Sequence, residues 1–251
     1  MVAVPAGTFS YRVSGEFLRD GTPANAPMTD ITFDRPIAFM QRQVSAGEYK
    51  VCVDAGACPA LASPAAADNL PVVGVNWHDA TAYAAWLSRQ TGHRYRLPTD
   101  AEWAYAAAER FRDDALTAGD AANPASRWIA AYEKESAQAA SDATPLPFGS
   151  FGANAHGLID LAGNVWEWTG TCYTRQTARA DGDATTIESC GVRVVEGNHR
   201  TYMSDFIRDP RGGACSAGAP PSNIGIRLVR EDGGPAERFA AGLRRLLAPR
   251  A

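Results

Sequence analysis

The stretch GLIDLAGNVWEW, residues 157–168, constrains the fold more than any other part of the chain. It places two Gly, two Trp and the carboxylates Asp160 and Glu167 close together, and it follows neither a helical nor a strand period. Gly163-Asn164 is a dipeptide typical of turns with positive φ. The pattern predicts an irregular, tightly packed turn with Trp166 and Trp168 as core anchors.

The same stretch offers oxygen ligands for a hard cation. A bend at this point would direct backbone carbonyl oxygens inward beside the carboxylates of Asp160 and Glu167. Ca²⁺ takes about six to eight such oxygens in proteins. The alternative is a turn that holds no ion, and the residue types alone leave both interpretations open.

Length and composition bound the class of protein. A chain of 251 residues fits one large domain or two small ones, and it is long enough to bury a substantial core. With 45% hydrophobic residues, 21% charged residues and a net charge of −4, it has the composition of a soluble globular protein. No basic run indicates a nucleic-acid partner. No apolar run approaches the roughly 20 residues that a membrane-spanning helix needs.

The cysteines bear on the compartment. Cys52 and Cys58 bracket a Gly-containing turn, while Cys172 and Cys190 bracket a polar stretch. Both pairs could close as disulfides, which would indicate an oxidising, exported setting such as a bacterial periplasm, although spacing alone does not establish connectivity. The alternative is five buried thiols in a cytosolic protein. Neither pair has the spacing of a structural zinc site, and Cys215 is left over.

Local signals predict where the regular elements lie. Residues 2–44 have the pattern of short strands and turns, whereas 169–191 are polar without a period and predict a long surface loop. Capping boxes at Ser45/Glu48 and Thr99/Glu102 predict helices over about 46–55 and from about 100. With Asp79 as N-cap, a further helix is predicted over 80–91. Two more helices are predicted where Pro is at the first position, over 124–140 after Asn123 and over 235–249. We expect His78 and His93, at helix edges, to be structural or exposed rather than ligands.

Four segments in order carry a family resemblance: VPAGTF at 4–9, RLPTDAEWAYAA at 96–107, the central stretch, and NIGIRLVR at 223–230. Together they resemble the signature of the formylglycine-generating-enzyme superfamily, the sulfatase-modifying-factor fold, which is a relative of the C-type lectins. This implies an α+β fold with little regular secondary structure, short antiparallel sheets and a few helices. It also implies one family domain at 2–233 and a C-terminal helical extension at 234–251.

The resemblance assigns one structural Ca²⁺ to the central stretch. Its ligands would be the side chains of Asp160 and Glu167 and the backbone carbonyls of Gly163 and Val165. The family has a further cation site, but residues 110–155 depart from the family pattern, so we do not expect it here.

The resemblance also locates the catalytic centre of the active members. These oxidise a substrate cysteine with copper held by two cysteines, separated by four residues, just after an Arg-Gly-Gly-Ser segment. The corresponding stretch here is 195–206, and it has Thr201 and Phe206 at the two cysteine positions. A hydroxyl and a phenyl ring cannot replace thiolates as ligands for copper. We therefore expect neither copper at the family site nor formylglycine generation by that mechanism.

A relocated metal site is the alternative. His199, Met203 and Cys215 are soft or borderline ligands close in sequence, with Glu196 nearby, and such a set would suit copper. Arg211, in an Arg-Gly-Gly segment, is a candidate for holding a carboxylate or a peptide carbonyl. The catalytic candidates of this alternative, a metal-dependent oxidoreductase, are therefore His199, Arg211 and Cys215.

Among the branches of the family, the chain looks most like the divergent NirV-type proteins encoded beside bacterial copper nitrite reductases. This implies an exported accessory protein linked to denitrification or to maturation of a copper enzyme. The leading hypothesis is a calcium-stabilised, lectin-like scaffold that presents a groove to a peptide or protein partner. The first residues, MVAVPAG, enter the first motif at once and show no signal peptide, so we expect an exported form to have a leader ahead of them.

Overall fold

The computed structural model describes residues 1–62, 67–116, 124–138, 144–180, 182, 184–209 and 223–231. Over these residues the chain is α+β, with three sheets and four α-helices. The predicted terminal helix at 235–249 and the extension at 234–251 lie outside the described residues, as do Arg211 and Cys215.

The helices form largely where the local signals place them. They are α1 (Ala46–Asp54), α2 (Trp77–Thr91), α3 (Asp100–Ala107) and α4 (Pro124–Gln138). The capping boxes of Ser45 with Glu48 and of Thr99 with Glu102 are both present, which confirms the predicted starts of α1 and α3.

The predicted start of α2 was wrong. Asn76, not Asp79, is the N-cap, and the helix begins at Trp77. The Asn76 side chain accepts the Asp79 backbone N–H at 2.8 Å, and the Asp79 carboxylate accepts the Asn76 backbone N–H at 3.0 Å. Asn and Asp are both good N-caps, but only this reciprocal arrangement satisfies two backbone donors at once.

Twelve strands are present in the described chain. In chain order they are β1 (Val2–Val4), β2 (Gly7–Arg12), β3 (Glu16–Arg19), β4 (Thr22–Ala24), β5 (Met28–Phe33), β6 (Ile37–Phe39), β7 (Arg94–Arg96), β8 (Trp166–Ala178), β9 (Ala184–Glu196), β10 (Thr201–Ser204), β11 (Ile224–Gly225) and β12 (Val229–Glu231). One sheet has the order β1-β6-β12-β7, a second has β10-β9-β8-β3-β4 with β11 also on β8, and β2 pairs with β5. Pairing is antiparallel except at β3–β8 and β11–β8, which are parallel. The expected α+β fold with short antiparallel sheets and a few helices is confirmed.

The predicted surface loop over 169–191 was also wrong, because most of it belongs to the long hairpin β8–β9. The two strands pair from Glu167 opposite Glu196 to Ala178 opposite Ala184. Residues 184–191 are exposed on both faces, so the hairpin lacks the apolar alternation that marks a half-buried strand. Thr-rich segments nevertheless suit extended structure.

The central stretch lies between two apolar clusters. Leu158 and Leu161 pack with Trp103 in one, whereas Trp166 and Trp168 pack in the other. Both indoles are buried and donate to backbone carbonyls, Trp168 to Val75 at 2.9 Å and Trp166 to His199 at 3.2 Å. This confirms the two tryptophans as core anchors.

Two disulfides close, Cys52–Cys58 and Cys172–Cys190, as the spacing allowed. They indicate an oxidising, exported environment, because disulfides rarely persist in the cytosol. Among the described helices, none has both the length and the apolar character needed to cross a bilayer.

Candidate functional site

The backbone of the central turn differs from the prediction. Positive φ angles occur at Gly157 (80°), Asp160 (57°) and Ala162 (59°), and not at the Gly163-Asn164 dipeptide. Gly163 is required for a different reason: a Cβ there would lie 2.6 Å from Cγ of Phe151. Close packing, rather than backbone conformation, therefore explains this glycine.

The Asp160 carboxylate is buried and accepts hydrogen bonds from the loop that precedes it. The backbone N–H of Gly149 donates to Oδ2 at 2.6 Å, and that of Phe151 donates to Oδ1 at 2.8 Å. The side chain thus holds the segment around 149–151 against the central turn, since each carboxylate oxygen binds one main-chain donor.

Glu167 lies at the centre of a second set of donors. Gln43 Nε2 donates to Oε1 at 2.7 Å, and Trp103 Nε1 donates to Oε2 at 2.8 Å. The Arg227 guanidinium is 3.0 Å from both oxygens. The Glu167 and Arg227 side chains are both 0% exposed, so this is a fully buried ion pair.

The remaining donors of Arg227 are also used. Nη1 donates to the carbonyls of Met40 and Gln41, and Nη2 donates to that of Ile159 at 2.8 Å. We call Gln43, Trp103, Glu167 and Arg227 the Glu167 cluster. It joins four distant parts of the chain, and every charge in it is paired and hydrogen-bonded, as a buried ion pair requires.

This arrangement does not fit a calcium ion held by both Asp160 and Glu167. Each of their carboxylate oxygens already accepts at least one N–H, and those of Glu167 also face a guanidinium. Calcium needs the same lone pairs, and Arg227 would be a second cation within the same shell. Calcium binding by these side chains and the carbonyls of Gly163 and Val165 stays a prediction, and the described contacts argue against it.

A second buried polar group surrounds Arg200, and we call it the Arg200 cluster. Its members are Tyr11, Asp100, Asp114, Glu196, Arg200 and Tyr202. Arg200 Nε is 2.9 Å from Glu196 Oε1, Nη2 is 3.2 Å from Asp100 Oδ2, and Nη1 is 3.1 Å from Asp114 Oδ1. Tyr11 donates to Asp100, and Tyr202 donates to Asp114.

One guanidinium therefore faces three carboxyl groups, and the pKa values of Glu196 and Asp100 move in opposite directions. Burial, and then the charge of Asp100, raise the pKa of Glu196 well above its usual range. Burial also opposes ionisation of Asp100, but the Arg200 guanidinium outweighs it and lowers the pKa of Asp100. Glu196 Oε2 and Asp100 Oδ1 have no hydrogen-bond partner among the described residues. A protonated Glu196 would be a hydrogen-bond donor for the neighbouring Asp100 carboxylate.

Sequence reasoning missed most of this cluster. Glu196 was noticed only as a neighbour of the soft ligands, and Asp100 only as part of a helix start. The available signal was the i,i+4 spacing of Glu196 and Arg200, which is uninformative outside a helix. Because both Asp100 and Glu196 are about 1% exposed, this pair of carboxyl groups has a structural role and does not contact an outside substrate.

The two positions that the resemblance assigns to the copper cysteines, Thr201 and Phe206, differ sharply in exposure. Thr201 is buried at the start of β10, where it pairs with Val195. Phe206 follows β10 and is 66% exposed. Neither side chain supplies a thiolate, so the prediction that the family copper ligands are missing depends on residue identity and is unaffected by the fold.

The described members of the alternative metal set do not form a ligand group. Met203 is 0% exposed in the apolar core. The His199 ring packs edge-on against Trp166, with Nδ1 3.1 Å from the Arg200 carbonyl. Within the described residues, the His, Cys, Asp and Glu side chains converge in one such group, Cys172, Glu188 and Cys190, whose sulfurs form a disulfide.

Comparison with known proteins agrees with this fold. A family model described as "Sulfatase-modifying factor enzyme 1-like domain" matches residues 1–232. The formylglycine-generating enzyme of Streptomyces coelicolor is 33% identical over 65% of this chain and 53% of its own length. The inactive C-alpha-formylglycine-generating enzyme 2 of Bos taurus is 31% identical over 62% of this chain and 54% of its own length.

A solved structure of PvdO from Pseudomonas aeruginosa superposes with a TM-score of 0.59 at 25% identity, covering 92% of this chain and 93% of that one. The chain belongs to the family of sulfatase-modifying-factor domains, the formylglycine-generating-enzyme-like proteins. It spans about half the length of the curated relatives it matches. Membership confirms the fold, whereas the activity has to be argued from the site.

Proposed function

We propose that this chain is an exported, noncatalytic member of the family that binds a peptide or protein partner. The observation that carries the proposal is Phe206: at the position of the second copper cysteine the chain has an aromatic side chain that is 66% exposed. Aromatic residues are enriched at protein interfaces and in their hot spots, so this exposed ring is a candidate contact for a partner.

The segment that holds Phe206 is rigidly attached to α2. The Asn76 side chain donates to the Phe206 carbonyl at 3.3 Å, and the Trp77 backbone N–H donates to the Asp205 carbonyl at 3.0 Å. Arg208 adds a two-pronged ion pair to Asp79, with N–O distances of 2.6 and 2.8 Å. A ring on a fixed support loses little conformational entropy on binding, which favours a contact role.

The relatives are consistent with loss of activity inside this family. One of them carries the name "Inactive C-alpha-formylglycine-generating enzyme 2", so the fold is kept in proteins described as inactive. The proposal for this chain is an accessory role in maturation of a copper nitrite reductase, because of its likeness to the NirV-type proteins. The metal-dependent oxidoreductase with a site near His199 and Cys215 is the competing function.

Deletion of the gene for this chain, in a host that also has a copper nitrite reductase, tests the accessory role. We expect the nitrite reductase of the deletion strain to have a lower copper content and activity, and we expect the wild-type chain to restore both. A Phe206→Asp variant should not restore them, whereas Val51→Asp, a matched change at another exposed apolar residue, should. An unchanged reductase in the deletion strain would remove the link to nitrite reduction, and full restoration by Phe206→Asp would remove the role of this ring.

A second experiment separates binding from catalysis. The purified chain is loaded with Cu(I) and incubated with a cysteine-containing sulfatase peptide, and the peptide mass is followed. We expect no conversion of cysteine to formylglycine and no stoichiometric copper. Copper that is retained by the wild type and lost in His199→Ala or Cys215→Ala would support the oxidoreductase instead.

A further inference from the structure

The two disulfides of this chain have different surroundings. Cys52 and Cys58 are both buried, at 0% and 7% exposure, in the apolar core at the end of α1. Cys172 and Cys190 instead join β8 to β9 across the hairpin, where the register of the two strands shifts. Cys172 is 9% exposed, whereas Cys190 is exposed, so an outside reagent has readier access to Cys190 than to Cys172.

A cation lies against the buried sulfur. Arg193 Nη1 is 2.9 Å from Sγ of Cys172 and 3.1 Å from the carbonyl of Gly170. The guanidinium also stacks on the indole of Trp77, with Cζ 3.9 Å from the ring centroid. These two contacts fix the direction in which Arg193 presents its charge.

An anion lies against the exposed sulfur. Glu188 Oε1 is 2.9 Å from Sγ of Cys190, two residues along the same strand. A thiolate on Cys190 would therefore face a carboxylate, whereas a thiolate on Cys172 would face a guanidinium. Because a thiol of lower pKa is the better leaving group, the surrounding charges favour departure of Cys172 and disfavour departure of Cys190.

We propose that Cys172–Cys190 is a thiol–disulfide exchange site, attacked at Cys190 by an external thiolate. The incoming sulfur forms a bond to Cys190 Sγ while the bond between the two Sγ atoms breaks. Cys172 leaves with the electron pair as a thiolate next to Arg193. This step conserves charge, since one thiolate is consumed and one is released.

A dithiol completes the reaction. Its second thiolate attacks the external sulfur of the mixed disulfide, the bond to Cys190 breaks, and Cys190 takes up a proton and donates to Glu188. The dithiol loses two electrons and becomes a disulfide, while the protein pair gains two electrons and becomes a thiolate at Cys172 and a thiol at Cys190. The site uses none of the residues considered for copper, so it does not depend on the proposed function.

Partial reduction of the folded wild-type protein tests the proposal. The protein is treated with limiting dithiothreitol at neutral pH and quenched with an alkylating reagent, and each cysteine peptide is quantified by mass spectrometry. We expect Cys172 and Cys190 to be labelled at least about tenfold faster than Cys52 and Cys58, since burial limits access to the second pair. Equal rates, or faster opening of Cys52–Cys58, would overturn the proposal.

The direction of attack has its own measurement. With glutathione in place of dithiothreitol, we expect the trapped mixed disulfide on Cys190 and alkylation of the released Cys172. Glutathione found mainly on Cys172 would contradict the assigned leaving group.

Variants at Arg193 separate its charge from its packing. Arg193→Gln should slow the reduction by about threefold to tenfold, because the Cys172 thiolate loses its cation, and Arg193→Lys should restore most of the rate. Arg175→Gln is the matched control, since Arg175 lies on the same hairpin but pairs with Glu16. Equal reduction rates for Arg193→Gln and the wild type would show that the cation does not assist departure of the Cys172 thiolate. If Arg193→Lys is reduced as slowly as Arg193→Gln, the effect comes from packing and not from charge. If Arg193→Gln fails to fold, the wild-type labelling order and the glutathione position still decide the proposal.

Discussion

The two buried guanidinium groups in the part of the chain that the structure describes, Arg200 and Arg227, differ in how their charge is balanced. Arg227 faces the single carboxylate of Glu167, and backbone carbonyls take up its other donors. Arg200 faces the carboxyl groups of Asp100, Asp114 and Glu196. Both arginine side chains are 0% exposed, so solvent cannot compensate for an imbalance in either place.

The two clusters therefore differ in whether a further carboxyl group is available to change its protonation state. In the Glu167 cluster the charges of Glu167 and Arg227 cancel, and the cluster contains no second carboxyl group that could replace Glu167. The Arg200 cluster has more carboxyl groups than one guanidinium needs. Burial and the charge of Asp100 raise the pKa of one of them, Glu196, so we expect Glu196 to ionise more readily when Asp100 is removed. Buried pairs of the first kind are expected to fail when one partner is lost, and those of the second kind to compensate.

The largest expected effect is that of Glu167→Ala. It leaves Arg227 buried without a counter-ion and removes the acceptor of Trp103 and Gln43. We expect a loss of about 3–5 kcal/mol in the free energy of unfolding, measured by chemical denaturation. The control is Glu16→Ala, which breaks the exposed pair with Arg175 and should cost less than about 1 kcal/mol. Similar losses in both variants would mean that burial of the Glu167 pair has no energetic consequence.

Asp100→Asn should cost less than Glu167→Ala, although its carboxylate is equally buried. Loss of the Asp100 charge removes one of the causes that raise the pKa of Glu196, so Glu196 can ionise and neutralise Arg200. We expect a loss of about 1–3 kcal/mol by the same denaturation experiment, mainly from the hydrogen bonds that Asp100 made. A loss as large as that of Glu167→Ala would contradict the spare-carboxyl explanation. In the double variant Asp100→Asn, Glu196→Gln the compensation is blocked, so the losses should no longer add.

Local interactions were the part of this fold that the sequence predicted well. The capping boxes at Ser45 and Thr99 involve residues three positions apart, so their patterns are visible in the sequence. The indole anchors Trp166 and Trp168 followed from their place in the central stretch, and both disulfides were among the pairings that the spacing allowed.

The site depended on contacts that no local pattern encodes. The hydrogen bonds of Glu167 join residues 60 to 124 positions apart in sequence. The sequence instead predicted a calcium ion at Glu167. In the Arg200 cluster, Asp100 reaches Arg200 because α3 packs beside β9. The β8–β9 hairpin was missed because its outer end has no buried face, which leaves no apolar alternation to read.

Glu196→Gln should change the pH dependence of stability more than stability itself. The folded chain holds a proton on Glu196 that the unfolded chain releases above the ordinary glutamate pKa of about 4.3. The unfolding free energy of the wild type therefore falls as pH rises above that value, until the folded-state pKa is passed. Glutamine keeps a donor toward Asp100 and does not titrate. Between pH 5 and pH 8 we expect the free energy of unfolding of the variant to rise, relative to that of the wild type, by on the order of 1 kcal/mol. A constant difference across this range would mean that Glu196 is ionised in the folded chain.

The smallest expected effect is that of calcium. Because the oxygens of Asp160 and Glu167 are occupied by N–H donors, a free ion has to displace Arg227 from Glu167 before it can bind there. That displacement leaves a guanidinium buried without its partner, which offsets the gain from binding. Thermal unfolding in millimolar calcium and in excess chelator should therefore give the same Tm. A ligand raises the Tm only if it binds the folded state. A Tm that rises with calcium in the wild type, but not in Glu167→Gln, would restore the family assignment. The Glu167 cluster would then be the form that the chain adopts without its ion, and the contrast with the Arg200 cluster would be one between a metal site and a proton site.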